Sequence, residues 1–416
     1  APIAQKMTAN RYLSAIKEGF FGSTPILIAG SIFLLFTSLP FNGYTEFMES
    51  TFGAGWMDFF YLPYQVSFKL MAIFVVIGMA KSLANYYKVD SKLAIALSFV
   101  GILLLTPVIV TVENVKGLPL DNFSAQGLFV CMIAAVLAVE IYRWCVQKGF
   151  TIKMPDSVPQ NVSSAFAAVI PAFLIILLFN ILRMGFAMTD FGSAQTFVFT
   201  ILQQPLQSLG GTLPATILVL LVEAVIWCFG LHGSSIVSSV MNPIWFAQSA
   251  ENLAAFEAGL AMPHIVNYQF IANFVKIGGT AATLGLAIVI LLTAKSSQYK
   301  ALGKLSIVPA LFNINEPIVF GLPIVLNPIM AIPFIVANIA VAIVTYAATF
   351  FGLVPVSIGV EVPWTTPPII SGFLLCGWQG AVLQIVLILV SMAIYYPFFK
   401  MQDKQEYDNE ELATKQ

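Results

Sequence analysis

"EPIVFGLPIVLNPIMAIPFIVANIAVAIVTYAATFFGLVPVSIGVE", residues 316–361, has no charged side chain between its first residue, Glu316, and its last, Glu361. A helix needs about 20 consecutive apolar residues to cross the hydrocarbon core of a bilayer, and this run exceeds that. Residues 19–45, 93–112, 157–182 and 362–399 are equally free of charge. Over all 416 residues, 59% are hydrophobic and 9% charged, with a mean hydropathy of +0.89, whereas soluble domains are roughly 25% charged. The sequence therefore predicts an all-α polytopic membrane protein. A net charge of −1 gives no global attraction to nucleic acid. Cys131, Cys145, Cys228 and Cys376 lie in or beside apolar runs without C-x-x-C spacing, so neither disulfides, thiol catalysis nor a metal is expected. No cofactor is expected either.

Lysine and arginine in short loops set orientation. Lys6, Arg11 and Lys17 precede a first span near 23–40, and the next loop carries Glu46, Glu49 and Asp58 without a basic residue. Lys81, Lys88 and Lys92 follow the second span; Arg143, Lys148 and Lys153 follow the fourth. Further spans fall near 93–112, 126–146, 163–184, 213–229, 234–250, 268–293, 327–351 and 372–399, giving about ten crossings with both termini cytoplasmic. The predicted organisation is an N-terminal transmembrane domain (1–188), an amphipathic interface linker (189–211), a C-terminal transmembrane domain (212–400) and a cytoplasmic tail (401–416).

Two apolar stretches are not ordinary spans. Residues 305–326 contain Pro309, Pro317 and Pro323, and residues 356–370 contain Pro363, Pro367 and Pro368, with Pro355 just before them. Broken backbone at membrane depth is tolerated where protein or a water-filled cavity surrounds it, and such half-helices mark transporter binding sites. Both are predicted to be re-entrant, proline-broken hairpins or extended cavity walls.

These breaks direct attention to particular side chains. Pro317 biases Glu316 away from helical angles, and an intramembrane carboxylate is functional by default. Asn313 and Asn315 offer donors and acceptors to sugar hydroxyls, or serve the turn. His232 sits in "WCFGLHGSSIV", where Gly230 and Gly233 let another group approach the backbone closely. Glu223, nine residues earlier on the sequence, either lines the same cavity or pairs within the bundle. "VPWTTPP" holds Trp364, Thr365 and Thr366 between prolines, with an aromatic face suited to a pyranose. His264 reads as a loop residue, and Lys69 and Arg183 as snorkelling side chains.

Together "NINEPIVFGLPIVLNP", "FGLHG" and "VPWTTPP" resemble the membrane subunit of sugar phosphotransferase systems, in the lactose, cellobiose and diacetylchitobiose group, nearest the Bacillus-type diacetylchitobiose and cellobiose permeases. The resemblance implies a sugar-binding second half and a first half that builds a homodimer in the bacterial cytoplasmic membrane, in contact with lipid. It places His232 and Glu316 as catalytic residues beside the sugar 6-hydroxyl, with Gly233, Asn313, Asn315, Trp364 and Thr365 as binding neighbours. The sequence has no phosphate loop of the G-x-x-x-x-G-K type and no soluble carrier domain. The expected donor is a separate cytoplasmic phosphocysteine subunit. The basic loop of Lys295, Lys300 and Lys304 is either its landing site or topology charge. An ion-coupled symporter delivering unmodified sugar is the alternative.

Overall fold

The computed structural model describes residues 10–37, 43–110, 116–124, 126–155, 158–322, 324 and 327–414. Lys6, Pro323 and the ends of the predicted segments at 40, 112 and 326 lie outside them. In chain order the helices are α1 (Arg11–Leu35), α2 (Tyr44–Phe52), α3 (Trp56–Phe68), α4 (Met71–Tyr87), α5 (Ser91–Leu105), α6 (Leu128–Lys148), α7 (Gln160–Ala167), α8 (Val169–Ala187), α9 (Ala194–Val198) and α10 (Gln204–Gly210). There follow α11 (Leu213–Cys228), α12 (Gly233–Glu257), α13 (Leu284–Thr293), α14 (Ser297–Leu311), α15 (Glu316–Gly321), α16 (Pro328–Phe350) and α17 (Ile370–Thr414). Among the described residues the sole sheet is a two-stranded pairing of Ile109–Val110 with Lys116–Gly117. The all-α expectation holds.

Among the described residues, five helical stretches can cross a membrane by length and composition, or up to seven if two bent pairs each count as one span. The other expected crossings overlap α1, the short apolar α5 and α12. Large apolar side chains point outward, including Phe59 at 73%, Leu305 at 71% and Phe351 at 74% exposure. A soluble monomer rarely shows so much exposed apolar surface; lipid is the solvent that suits it.

The chain folds as two compact units. One takes the described residues of Gln5–Gly30 and Tyr61–Ser208, the other those of Ser31–Phe60 and Leu209–Gln416. In the first, α5 starts at Asp90, whose carboxylate accepts from the Lys92 and Leu93 amides at 2.8 and 3.1 Å. Such a cap satisfies donors that a helix start leaves orphaned. Glu140 on α6 accepts from Arg143 at 2.7 Å and Tyr12 at 3.0 Å, and also bonds Tyr87. Gln195, Gln203 and Gln207 in α9, α10 and the π-helical turn between them are buried, while Ile201, Leu202 and Leu209 are exposed. The glutamines thus face protein and the apolar side faces out.

The second unit has a core that includes Trp227, Trp245, Tyr299, Phe334, Tyr395 and Phe399, all nearly inaccessible. It departs from the sequence reading at 305–326. Pro309 lies inside α14 and Pro317 in the first turn of α15, where a missing N–H costs no helical bond. The break falls between them, at Phe312–Asn315, with Asn313 at φ +61°. Glu316 consequently begins a short helix, contrary to the extended backbone expected before proline. Residues 355–369 have neither helix nor strand, as the prolines predict. Side-chain amides replace the missing backbone ladder there: Asn252 donates to the Ser357 carbonyl at 3.1 Å, Asn273 to that of Val362 at 3.3 Å, and Asn313 to those of Trp364 and Thr366. Gln384 accepts from the Ile369 and Gly372 amides. Irregular backbone in an apolar setting needs such partners.

Residues 401–414 continue α17 and do not leave it as a loose tail. Buried Asp403 accepts from the Lys295 amide at 2.9 Å and from the Ser296 amide and hydroxyl at 3.1 and 2.9 Å. Glu410 accepts from the Ser297 and Gln298 amides at 2.9 and 3.1 Å. Two carboxylates therefore serve the N-terminus of α14, where anions are favoured. Asp403→Ala is expected to destabilise this end by about 2 kcal/mol and to speed hydrogen exchange at 295–299 selectively. Unchanged exchange there would show that the cap does not hold α14.

Candidate functional site

His232 is the N-cap of α12, and its Nδ1 accepts from the Ser235 amide at 3.1 Å. An imidazole nitrogen that accepts from a backbone N–H carries no proton, so the neutral ring is protonated at Nε2. That nitrogen lies 3.5 Å from Oε1 of Glu316, the first residue of α15. Their side chains are 46% and 45% exposed. Two polar groups from separate helix starts thus meet at an open place, able to give one hydrogen bond and take another at the same substrate atom.

The other predicted site residues differ in placement. Gly233 is buried beneath His232; a Cβ there would stand 2.3 Å from the Glu223 carbonyl oxygen and 2.9 Å from Trp227 Cδ1. Its bareness lets α12 start against α11, and the group approaching it is protein backbone. Asn313 and Asn315 are buried. Asn313 accepts from the Gly278 amide at 2.6 Å and donates to the 364–366 loop; Asn315 donates to the Thr280 carbonyl at 3.1 Å. The two amides tie the break before Glu316 to two other segments. Trp364 is 37% exposed on that loop, in a turn with Thr365. His264 pairs with Glu251 at 2.5 Å, away from these groups in hydrogen-bonding terms. Lys295 gives its amide to Asp403, and the loop lysines show no ion pair among the described residues.

Beside the site lies a cluster around Glu223 whose other members have no counterpart in the sequence reading. Residues 268–293 do not form one regular helix: the stretch Phe270–Ala282, which begins with a π-helical turn over Phe270–Val275, is bent 49° from α13. Beyond that turn Gly278, Gly279, Ala281 and Ala282 all have positive φ. A Cβ on Gly279 would come within 2.6 Å of Asn315 Cγ, so the glycine pair admits the asparagine. This opening carries Lys276, whose Nζ donates to Glu223 Oε1 at 2.7 Å. Glu223 is wholly buried and its Oε2 has no hydrogen-bond partner among the described residues. Ser234 also donates to Glu223, Thr280 bonds Ser234, and the Trp227 indole donates to Ser234 at 3.2 Å. Of the two readings of Glu223, pairing within the bundle is the observed one. "KIGGTAA", a lysine and two glycines inside an apolar run, was the signal for the break.

The comparisons agree with this architecture. The family described as "Phosphotransferase system, EIIC" matches residues 17–338. A lichenan permease IIC component from Bacillus subtilis (strain 168) is 42% identical over 420 residues, spanning 98% of this chain and 93% of that protein. A cellobiose-specific EIIC component from Geobacillus stearothermophilus is 42% identical over 423 residues, spanning 99% and 94%. A crystal structure of the transporter ChbC, the IIC component from the N,N'-diacetylchitobiose-specific phosphotransferase system, superposes with a TM-score of 0.94 at 42% identity. It covers 99% of this chain and 98% of that one.

Proposed function

This chain belongs to the phosphotransferase-system EIIC family, and on that premise we propose that it carries a disaccharide, diacetylchitobiose or cellobiose, across the bacterial cytoplasmic membrane. It presents the sugar 6-hydroxyl to a phosphocysteine on a separate cytoplasmic subunit. The observation that carries this reading is the meeting of His232 Nε2 and Glu316 Oε1, 3.5 Å apart and half exposed, at a break in an otherwise apolar unit.

The proposed chemistry balances. The 6-oxygen attacks phosphorus as the S–P bond to the partner's cysteine breaks, the thiolate leaves, and Glu316 takes the hydroxyl proton. His232 donates through Nε2–H and fixes the oxygen in line with the donor, since phosphoryl transfer depends chiefly on positioning and electrostatics. Trp364 and Thr365 border the sugar. Asn313, Asn315 and Gly233 shape its site through the backbone they hold. The C-terminal transmembrane domain (212–400) binds sugar, and the N-terminal domain (1–188) forms the homodimer, with 189–211 as the linker and both termini cytoplasmic. The 6-phosphate formed inside is trapped by its charge.

Titration of the purified full chain with diacetylchitobiose, cellobiose and lactose tests the reading. Saturable binding of one of the first two is expected, with lactose weaker. His232→Ala is expected to weaken it by about tenfold or more, as loss of a hydrogen bond to a charged or polar site costs about 1.5–3 kcal/mol. Saturable binding left intact in both His232→Ala and Glu316→Ala would remove this pair from the sugar site.

A further inference from the structure

The imidazole of His232 is held from two sides. Its Nδ1 is fixed by the Ser235 amide and hydroxyl, at 3.1 and 2.9 Å. Its ring packs on Trp227, with centroids 4.5 Å apart and planes inclined by 46°. That indole lies in the core at 1% exposure, and its Nε1 donates to Ser234 Oγ at 3.2 Å. A hydroxyl has a single proton to give, and a carboxylate can only accept, so Ser234 donates to Glu223 and turns its lone pairs toward the indole and Thr280. Glu223 keeps its place because Lys276 neutralises it at 2.7 Å and because the α11 backbone at Glu223 closes on Gly233 at the start of α12.

We propose that Glu223 and Ser234 are positioning residues for phosphoryl transfer. The Lys276-held carboxylate orients the Ser234 hydroxyl, the hydroxyl orients the Trp227 indole, and the indole face holds the His232 ring with Nε2 toward Glu316. Neither residue touches sugar in this scheme. Their part in transfer rests on the function proposed above, whereas their effect on the His232 ring does not. Partners that orient a reacting imidazole from behind commonly change activity by about 10- to 100-fold when removed, because catalysis depends on sub-ångström placement.

Two measurements on the full-length chain in detergent separate these claims. Carbethoxylation of His232 by diethyl pyrocarbonate, followed by mass spectrometry of its peptide, reads how firmly the ring is held, and modification of His264 in the same sample is the internal control. In Ser234→Ala the His232 rate is expected to rise severalfold with the His264 rate unchanged. The double variant Glu223→Leu/Lys276→Met, which leaves neither a stranded charge nor an acceptor for Ser234, is expected to behave likewise. With phosphorylated partner and cellobiose or diacetylchitobiose, both variants are expected to lose about tenfold in kcat with KM within about threefold. Unchanged His232 reactivity in both variants would overturn the relay whatever the transport assay shows. Raised reactivity with unchanged kcat would show that the relay holds the ring but has no part in transfer. If wild type transfers no phosphoryl group, the proposed function fails, while the reactivity result still decides the relay.

Discussion

Glu316→Gln is expected to lower phosphoryl transfer to bound disaccharide by about 100-fold or more, while weakening sugar binding by less than about tenfold. Glutamine keeps the length of the side chain and an oxygen at the Oε1 position, so His232 Nε2–H retains an acceptor at the place now 3.5 Å away. What it removes is the basic carboxylate that, in the proposed mechanism, takes the hydroxyl proton as the 6-oxygen attacks. The experiment pairs a binding titration with initial rates of labelled sugar 6-phosphate formation in vesicles supplied with the phosphorylated cytoplasmic subunit. A variant that loses binding and turnover in equal measure would make Glu316 a binding group only. The same vesicles without the partner test the transport reading: wild type is expected to exchange sugar but not to accumulate it. Accumulation of unmodified sugar driven by an ion gradient alone would favour the symporter.

Helix placement was legible because the bilayer imposes a length rule on apolar runs and a charge rule on loops. Among the described residues the long apolar helices fall on predicted spans, from α6 at the fourth to α17 at the last charge-free interval. The proline-rich 355–369 segment was equally plain, since consecutive prolines forbid a regular backbone bonding pattern. Less legible was the place where a break falls. Pro309 and Pro317 were read as the interruption, yet each sits within helix, and the turn is made by Asn313 in the left-handed region. Asparagine tolerates that conformation, but only the partners of its side-chain amide, the Gly278 N–H that donates to it and the Trp364 and Thr366 carbonyls that accept from it, reveal why it is needed there. Those partners lie far away in sequence. Lys276 was missed for a related reason. A single lysine in an apolar run looks like a tolerated exception until Glu223, 53 positions earlier, is seen against it.

The Lys276–Glu223 pair yields the largest expected effect on stability. Lys276→Met leaves a wholly buried carboxylate with no cation beside it, and its Oε2 already has no hydrogen-bond partner among the described residues. Breaking a buried ion pair by removing one member typically costs about 3–5 kcal/mol, because the remaining charge stays desolvated. The Lys276 side chain is only 16% exposed and Glu223 fully buried, so water offers little relief. The neighbourhood amplifies the loss: Ala281 and Ala282, a few residues after Lys276, both have positive φ, and such backbone at a non-glycine residue persists only where its surroundings hold it. Thermal unfolding in detergent is expected to show a lowered midpoint for Lys276→Met. The double variant Glu223→Gln/Lys276→Met is expected to recover most of the loss, since neither charge then remains to be stranded. This asymmetry distinguishes a desolvation penalty from lost packing: if the double variant is as unstable as the single one, the cost arises from the lysine's aliphatic stem and the broken helix around it, and the ion pair contributes little to holding the site together.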